Sequence, residues 1–160
     1  RLGARVPRPG GLRRPAGRTP ASMIVAAEFE FDAAHNLPNY AGKCERLHGH
    51  TYRLKVFCEA PVDPSTGLAI DFAELKRAVR ARVIDVLDHT YLNETIPIPS
   101  AEHIAIWIWD RLVPTGLPLK ELWVHETPGC WVVYRGEGAE GGSSGRRSWS
   151  GGASGSGGAG

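Results

Sequence analysis

From residue 24 to 35 the chain alternates. Val25, Ala27, Phe29, Phe31 and Ala33 are apolar, and Glu28, Glu30 and Asp32 stand between them. A period of two puts one face in a core and the other in water, so a half-buried strand is predicted here. From 50 to 59, Tyr52, Leu54, Val56 and Cys58 alternate with Arg53, Lys55 and Glu59, which predicts a second strand. Asp63-Pro64-Ser65-Thr66-Gly67 carries turn chemistry. The period then lengthens: Phe72, Leu75, Val79, Val83 and Val86 follow a helical stripe, behind Asp71 and Glu74 at capping-box spacing. A second helix fits 101–112, with Ala101, Ile104, Ala105, Ile108, Trp109 and Leu112 on one face and Ser100 as N-cap. Two short strands, 120–126 and 130–135, joined through Thr127-Pro128-Gly129, close the pattern. The order ββααββ predicts an α+β architecture, an antiparallel sheet with both helices on one face.

Composition narrows the class. The chain has 160 residues, 42% hydrophobic and 22% charged, as expected of one soluble globular domain. No apolar run approaches the roughly 18 residues of a membrane-spanning helix. Residues 1–22 mix Arg, Pro and Gly without an apolar period, and residues 137–160 are rich in Gly, Ser and Ala. Both ends are expected to be unstructured, leaving a domain at 23–136 with no internal repeat. Met23, directly before the first strand, reads as a start codon; Pro7, Pro9, Pro15 and Pro20 oppose an amphipathic organellar presequence. The net charge of +2 conceals an asymmetry. Six arginines lie in 1–22, and Arg146 and Arg147 in the tail, which leaves 23–136 with 11 basic and 15 acidic residues. A net-negative domain does not read as a nucleic-acid surface. Three cysteines, Cys44, Cys58 and Cys130, are too few and odd in number for a disulfide framework. With no secretory signal pattern, a reducing, cytoplasmic compartment is expected.

The alternation also places three of the six histidines. His35 ends the apolar row of the first strand, and His48 and His50 open the apolar row of the second. Residues two apart on a strand point the same way, and Gly49 between them permits close approach. If the strands pair as an antiparallel hairpin, the connection 36–47 sets His35 opposite them. Three neutral imidazoles without a fourth protein ligand describe a catalytic zinc site with an open position. The competing reading is three histidines satisfied by local hydrogen bonds.

Cys44 lies four residues before His48, in the loop expected to arch over this site, where a cation would favour its thiolate as base or nucleophile. Cys58 falls in the core row and reads as packing; Cys130 receives no role. Asp88-His89 ends the first helix. A carboxylate beside an imidazole can hold it as a proton shuttle, and a histidine at a helix C-terminus equally complements the dipole. Glu126 follows Leu122 and Val124 on the inward row of its strand. It is either a buried carboxylate that needs a ligand with paired N–H donors, or a strand-end residue turned to water. Glu102 is placed to interact with the N-terminus of the second helix.

Phe31-Asp32-Ala33-Ala34-His35, Cys44-Glu45-Arg46-Leu47-His48-Gly49-His50, Asp71-Phe72-Ala73-Glu74-Leu75-Lys76, Leu87-Asp88-His89-Thr90-Tyr91-Leu92-Asn93 and Glu126-Thr127 occur in this order. Together they resemble the 6-pyruvoyl-tetrahydropterin synthase family, over essentially all of 24–136. The spacing of Cys44 to His48 is similar to that of its bacterial branch, the 6-carboxy-5,6,7,8-tetrahydropterin synthases of queuosine biosynthesis. The resemblance implies the tunnelling fold, in which ββααββ subunits assemble into a homo-oligomeric barrel with active sites between neighbours. It implies Zn2+ on His35, His48 and His50, and a proton-transfer set of Cys44, Asp88 and His89. It implies that Glu126, with Thr127 beside it, accepts hydrogen bonds from the N–H edge of a pterin. The implied substrate is 7,8-dihydroneopterin triphosphate, and the implied activity is that of a lyase. The resemblance further implies that zinc would act on the side-chain hydroxyls, that Cys44 and the Asp88–His89 pair would move protons, and that triphosphate and acetaldehyde would leave.

This chain departs from the family pattern at two points. His103 stands where relatives often carry asparagine, so Glu102 keeps no assigned role. Glu45 precedes His-Gly-His by three residues, similar to relatives that release 6-hydroxymethyl-dihydropterin for folate synthesis. A folate-side, 6-pyruvoyl-tetrahydropterin or dual activity is therefore the alternative product assignment, and an exposed loop glutamate is the simpler reading of Glu45. Lys43 and Arg46 are triphosphate candidates by charge and position. Trp107, off the core-facing stripe, marks a subunit contact or packs at the surface. A non-catalytic pterin- or purine-binding module would lack a zinc ligand or Cys44, and neither is lost. A zinc hydrolase would carry a glutamate base as in H-E-x-x-H, which is absent.

Overall fold

The computed structural model describes residues 21–38 and 40–137. The expectations for 1–22 and 137–160 fall almost wholly outside the described residues, as does the side chain of Lys43. Strands β1 (Ser22–His35) and β2 (His48–Pro61) pair antiparallel in unbroken register, from Ser22↔Pro61 to His35↔His48. Both exceed the spans that alternation predicts, because ladder pairing continues past the ends of the apolar rows. A two-residue strand, β3 (Thr90–Tyr91), pairs parallel with β1 at Ala33↔Thr90 and Ala34↔Tyr91. Two residues carry no period, so the pattern does not reveal it. With β4 (Leu119–Thr127) and β5 (Cys130–Tyr134) the sheet has five strands in the order β3-β1-β2-β4-β5. It is antiparallel except at the β3 edge.

The helix predicted after Asp71 forms, with an interruption. Asp71 Oδ1 accepts from the Ala73 N–H at 2.7 Å and caps α1 (Phe72–Val79). A π-helical turn at Arg80–Ile84 comes next, then α2 (Asp85–Leu87). The wider turn takes up extra chain and rotates the residues beyond it relative to a 3.6-residue stripe. Leu75, Val79 and Val83 are buried as the stripe predicts, but Leu87 replaces Val86 in the core and Ile84 joins it. Val86 is 39% exposed and Phe72, at the first turn, 54%. The expected core stripe is corrected at both ends. Helix α3 (Ala101–Leu112) keeps its expected bounds and turns Ile104, Ala105, Ile108, Trp109 and Leu112 inward. Trp107 packs partly against the core, with the Arg111 guanidinium 4.8 Å from its ring centre.

The inward rows of β1, β2 and β4 meet these helices in one apolar cluster, from Ala27 to Val124. Burial of each large apolar side chain contributes about 1.5–3 kcal/mol. The other face of the sheet carries exposed ion pairs, Glu30–Arg53 at 2.9 Å and Glu28–Lys55 at 3.4 Å. No helix among the described residues is long and apolar enough to cross a membrane.

Candidate metal centre

At one end of the core face, hydrocarbon gives way to histidine. The β1 row runs Ala27, Phe29, Phe31, Ala33, His35, and the β2 row runs from Cys58 back through Tyr52 to His50 and His48. The register sets His35 opposite His48 and Ala33 opposite His50, so three imidazoles share one face. A Cβ at Gly49 would crowd Ala33 O at 3.3 Å, so the close approach of the strands here suits a bare backbone.

Hydrogen bonds fix two of the rings. His35 Nδ1 lies 2.8 Å from Pro99 O, and His48 Nδ1 lies 2.7 Å from Arg46 O. A carbonyl only accepts, so each Nδ1 donates its proton and each Nε2 keeps a lone pair. Those two lone pairs face each other at 3.1 Å. Two acceptors do not bond to one another, and a cation between them resolves the conflict. His50 Nε2 is buried and has no hydrogen-bond partner among the described residues. Burial holds the His50 pKa below its ordinary 6.5; Glu126 opposes this, and His35 and His48 reinforce it. The ligand nitrogens of the three all lie within 4.8 Å of one another. Carbonyl-fixed tautomers, opposed lone pairs and an orphaned buried nitrogen fit a divalent ion such as zinc.

Glu126 ends the inward row of β4, beyond Leu122 and Val124, with its side chain 30% exposed. Its Oε1 lies 3.3 Å from His35 Nε2 and 3.8 Å from His50 Nε2. Thr127 follows at the β4–β5 turn and lines the same groove as His50 and Glu126. A second groove, at the start of α3, runs between Glu126, Glu102 and Trp131.

Within one chain the remaining expected residues do not join the histidine group. His89 Nδ1 is 2.9 Å from Asp88 Oδ1, and the pair docks on β1 through two backbone bonds. The Asp32 N–H donates to Asp88 Oδ1 at 2.9 Å, and the His89 N–H donates to Asp32 O at 2.6 Å. The Asp32 N–H, then the His89 ring, hold the Asp88 carboxyl below the usual carboxylate range. His89 has a left-handed backbone, φ 57°, unusual for a residue with a Cβ, and its side chain is 77% exposed. Asp32 belongs to the outward row of β1, and its carboxylate clusters with Asp88 and His89. The pair therefore sits by the outward row of β1, at a concavity of about 520 Å3 that His50 also lines. Cys44 is partly buried in the 3-10 turn Lys43–Glu45, where its carbonyl accepts the Leu37 N–H at 2.8 Å. Its Sγ does not join the histidine group.

The family model described as 6-pyruvoyl tetrahydropterin synthase matches residues 24–137. The chain belongs to the 6-pyruvoyl tetrahydropterin synthase family. Among its relatives, the 6-carboxy-5,6,7,8-tetrahydropterin synthase of Synechocystis sp. is 41% identical over 101 residues, 59% of this chain and 78% of that protein. The 6-pyruvoyl tetrahydrobiopterin synthase of Homo sapiens is 32% identical over 133 residues, 71% of this chain and 91% of that one. The structure of Caenorhabditis elegans 6-pyruvoyl tetrahydropterin synthase superposes with a TM-score of 0.67 at 28% identity, covering 72% of this chain and 96% of that one. The five-stranded sheet with its helices on one face is the tunnelling fold of this family.

Several groups around the family's site motifs escape a reading of the sequence. The Pro99 and Arg46 carbonyls that set the tautomers are backbone atoms, and residue type does not announce them. Asp32, which docks the Asp88–His89 pair, sits in the polar row and looks like ordinary solvent-facing charge. Its partner Thr51, whose Oγ1 donates to Asp32 Oδ1 at 2.5 Å, was within reach. A hairpin with His35 opposite His48 sets Asp32 opposite Thr51.

Proposed function

We propose that this family member is a zinc-dependent 6-carboxy-5,6,7,8-tetrahydropterin synthase. It takes 7,8-dihydroneopterin triphosphate and water to 6-carboxytetrahydropterin, acetaldehyde and triphosphate, in queuosine (7-deazapurine) biosynthesis in the cytoplasm. One observation carries the reading: the opposed Nε2 lone pairs of His35 and His48, with the orphaned His50 Nε2 beside them. These three residues would hold the ion, which supplies Lewis acidity towards the hydroxyls of the substrate side chain. The Glu126 carboxylate accepts hydrogen bonds from paired N–H groups on the pterin edge, with Thr127 beside it. Cys44 takes a proton from the side chain. The Asp88 carboxylate orients the His89 ring through Nδ1 and leaves its Nε2 free to move a second proton. That the pair does not join the histidine group within one chain supports a homo-oligomer whose active sites are shared between neighbours. Neither membrane nor nucleic acid enters this reading.

A second product assignment draws on Glu45, which is exposed in the same turn as Cys44. There the protein would release 6-hydroxymethyl-dihydropterin and serve folate synthesis. Anaerobic incubation of the zinc-loaded protein with 7,8-dihydroneopterin triphosphate, with the pterins resolved by mass spectrometry, decides between them. Carboxy-tetrahydropterin with acetaldehyde is expected. Hydroxymethyl-dihydropterin would move the protein to folate, and no turnover with zinc bound would sink both assignments.

A further inference from the structure

Glu126 lacks the partners a half-buried carboxylate ordinarily has. Among the described residues no Lys or Arg reaches it within 4.0 Å. Its Oε1 faces His35 Nε2 at 3.3 Å and His50 Nε2 at 3.8 Å. His35 Nε2 carries a lone pair, because its Nδ1 proton is committed to Pro99 O. A carboxylate oxygen and an imidazole lone pair repel at that distance unless a cation or proton lies between them. Two ligands of a tetrahedral zinc, each about 2.0–2.1 Å from the ion, stand roughly 3.3–3.4 Å apart. The His35–His48 separation of 3.1 Å and the His35–Glu126 separation of 3.3 Å are of that size. Glu126 stands on the His35–His50 side and does not itself join the group whose ligand atoms lie within 4.8 Å of one another. Its carboxylate has to swing towards His48 to complete a four-ligand set.

We propose that Glu126 is the fourth metal ligand of the substrate-free protein, and that an arriving pterin draws its carboxylate off the ion. The inference rests on the metal-centre reading above and gives Glu126 two successive partners. Without pterin its charge is neutralised at the metal; with pterin it accepts from the paired N–H groups of the ring. The exchange opens a coordination position only when the pterin groove is filled. The ion's Lewis acidity then meets the substrate hydroxyls and not bulk water. Among the described residues no hydrogen bond anchors the side chain, so the exchange asks only for torsional movement of Glu126.

The test reads the metal and needs no turnover. Metal-free wild type and Glu126→Gln are titrated with Zn2+ and, separately, with Co2+, whose visible absorption reports its ligands. Glu126→Gln is expected to bind Zn2+ more weakly by at least the ~10–100-fold that outer partners of metal ligands are worth, and to give an altered Co2+ spectrum. The pterin probe is 2-amino-4-oxopteridine, which has no side-chain hydroxyls. It is expected to move the wild-type Co2+ spectrum towards that of Glu126→Gln and to leave the variant's spectrum unchanged. A Zn2+ affinity or Co2+ spectrum in Glu126→Gln indistinguishable from wild type overturns the proposal. So does a wild-type spectrum that ignores saturating pterin. His48→Ala separates the two levels. If it binds Zn2+ as wild type does, the metal-centre reading falls and takes this inference with it. If only the Glu126 results fail, the metal centre stands.

Discussion

The inward row of β2 has two halves that share one strand, one register and one face. From Tyr52 to Cys58 every inward side chain is fully buried, in a cluster with β1, β4 and the helices. From His50 to His48 the same row presents ring nitrogens, and these meet the Arg46 carbonyl, the neighbouring rings and Glu126. Strand geometry delivers both sets of side chains in the same way; the covering makes the difference. Helix α3 starts only at Ala101, so over His35 the chain is the irregular stretch before it, with Pro99 O in place of another apolar side chain. The apolar packing sits in the first half and the candidate metal centre in the second. The register of the long hairpin holds the imidazoles together, which is the kind of preorganisation that tight, selective sites need.

If the halves are independent, each should break without the other. His48→Ala strikes only the histidine half. Zn2+ affinity is expected to fall by more than ~100-fold, beyond the loss for an outer-shell partner. The metal-free protein should lose no more than about 1 kcal/mol in urea unfolding, one hydrogen bond's net worth. Cys44→Ala sharpens the point from outside the row. Turnover is expected to drop by ~10²–10⁴-fold, the span of general acid–base contributions, while zinc content measured by mass spectrometry stays the same. Leu54→Ala strikes only the covered half. Leu54 is fully buried, so unfolding should come about 2–5 kcal/mol more easily, with Zn2+ affinity of the folded protein unchanged. A Leu54→Ala protein that folds but binds zinc poorly would show that the halves are coupled.

The same comparison explains what could be read from the sequence. Alternation is a property of the backbone, so it runs through both halves and carried His35, His48, His50 and Glu126 to their observed face. The resemblance to a known family implied roles for Cys44, Asp88 and His89 in sites between neighbours, and within one chain these residues do not join the histidine group. Periodicity failed where local geometry overrode it. The π turn at Arg80–Ile84 exchanged Val86 for Leu87, and nothing in Arg80-Ala81-Arg82-Val83-Ile84 marks it. β3 depends on the docking of Asp88 and His89 against Asp32, a tertiary event with no local period.

Tyr52 stands where the halves meet, and it tests the boundary with the smallest effect. Its ring stacks on Phe31, centres 5.0 Å apart, and meets His50 and His35 edge-on at 5.6 and 5.9 Å. Its hydroxyl is buried without a hydrogen-bond partner among the described residues. Burial, and then the Glu126 charge, push its pKa up, so it keeps its proton throughout the neutral range. An unpaired buried polar group costs about 1–3 kcal/mol, and phenylalanine fills the same ring volume without one. Tyr52→Phe is therefore expected to leave metal-free stability unchanged, or to raise it by up to about 1 kcal/mol in urea unfolding, with zinc affinity intact. That is the response of a residue in the covered half, opposite in sign to Leu54→Ala two positions along. A loss of about 1–2 kcal/mol would mean that the hydroxyl has a partner in solution, a bound water held near the histidines. The boundary would then lie between Tyr52 and Leu54, and the polar half would own three consecutive inward positions of β2.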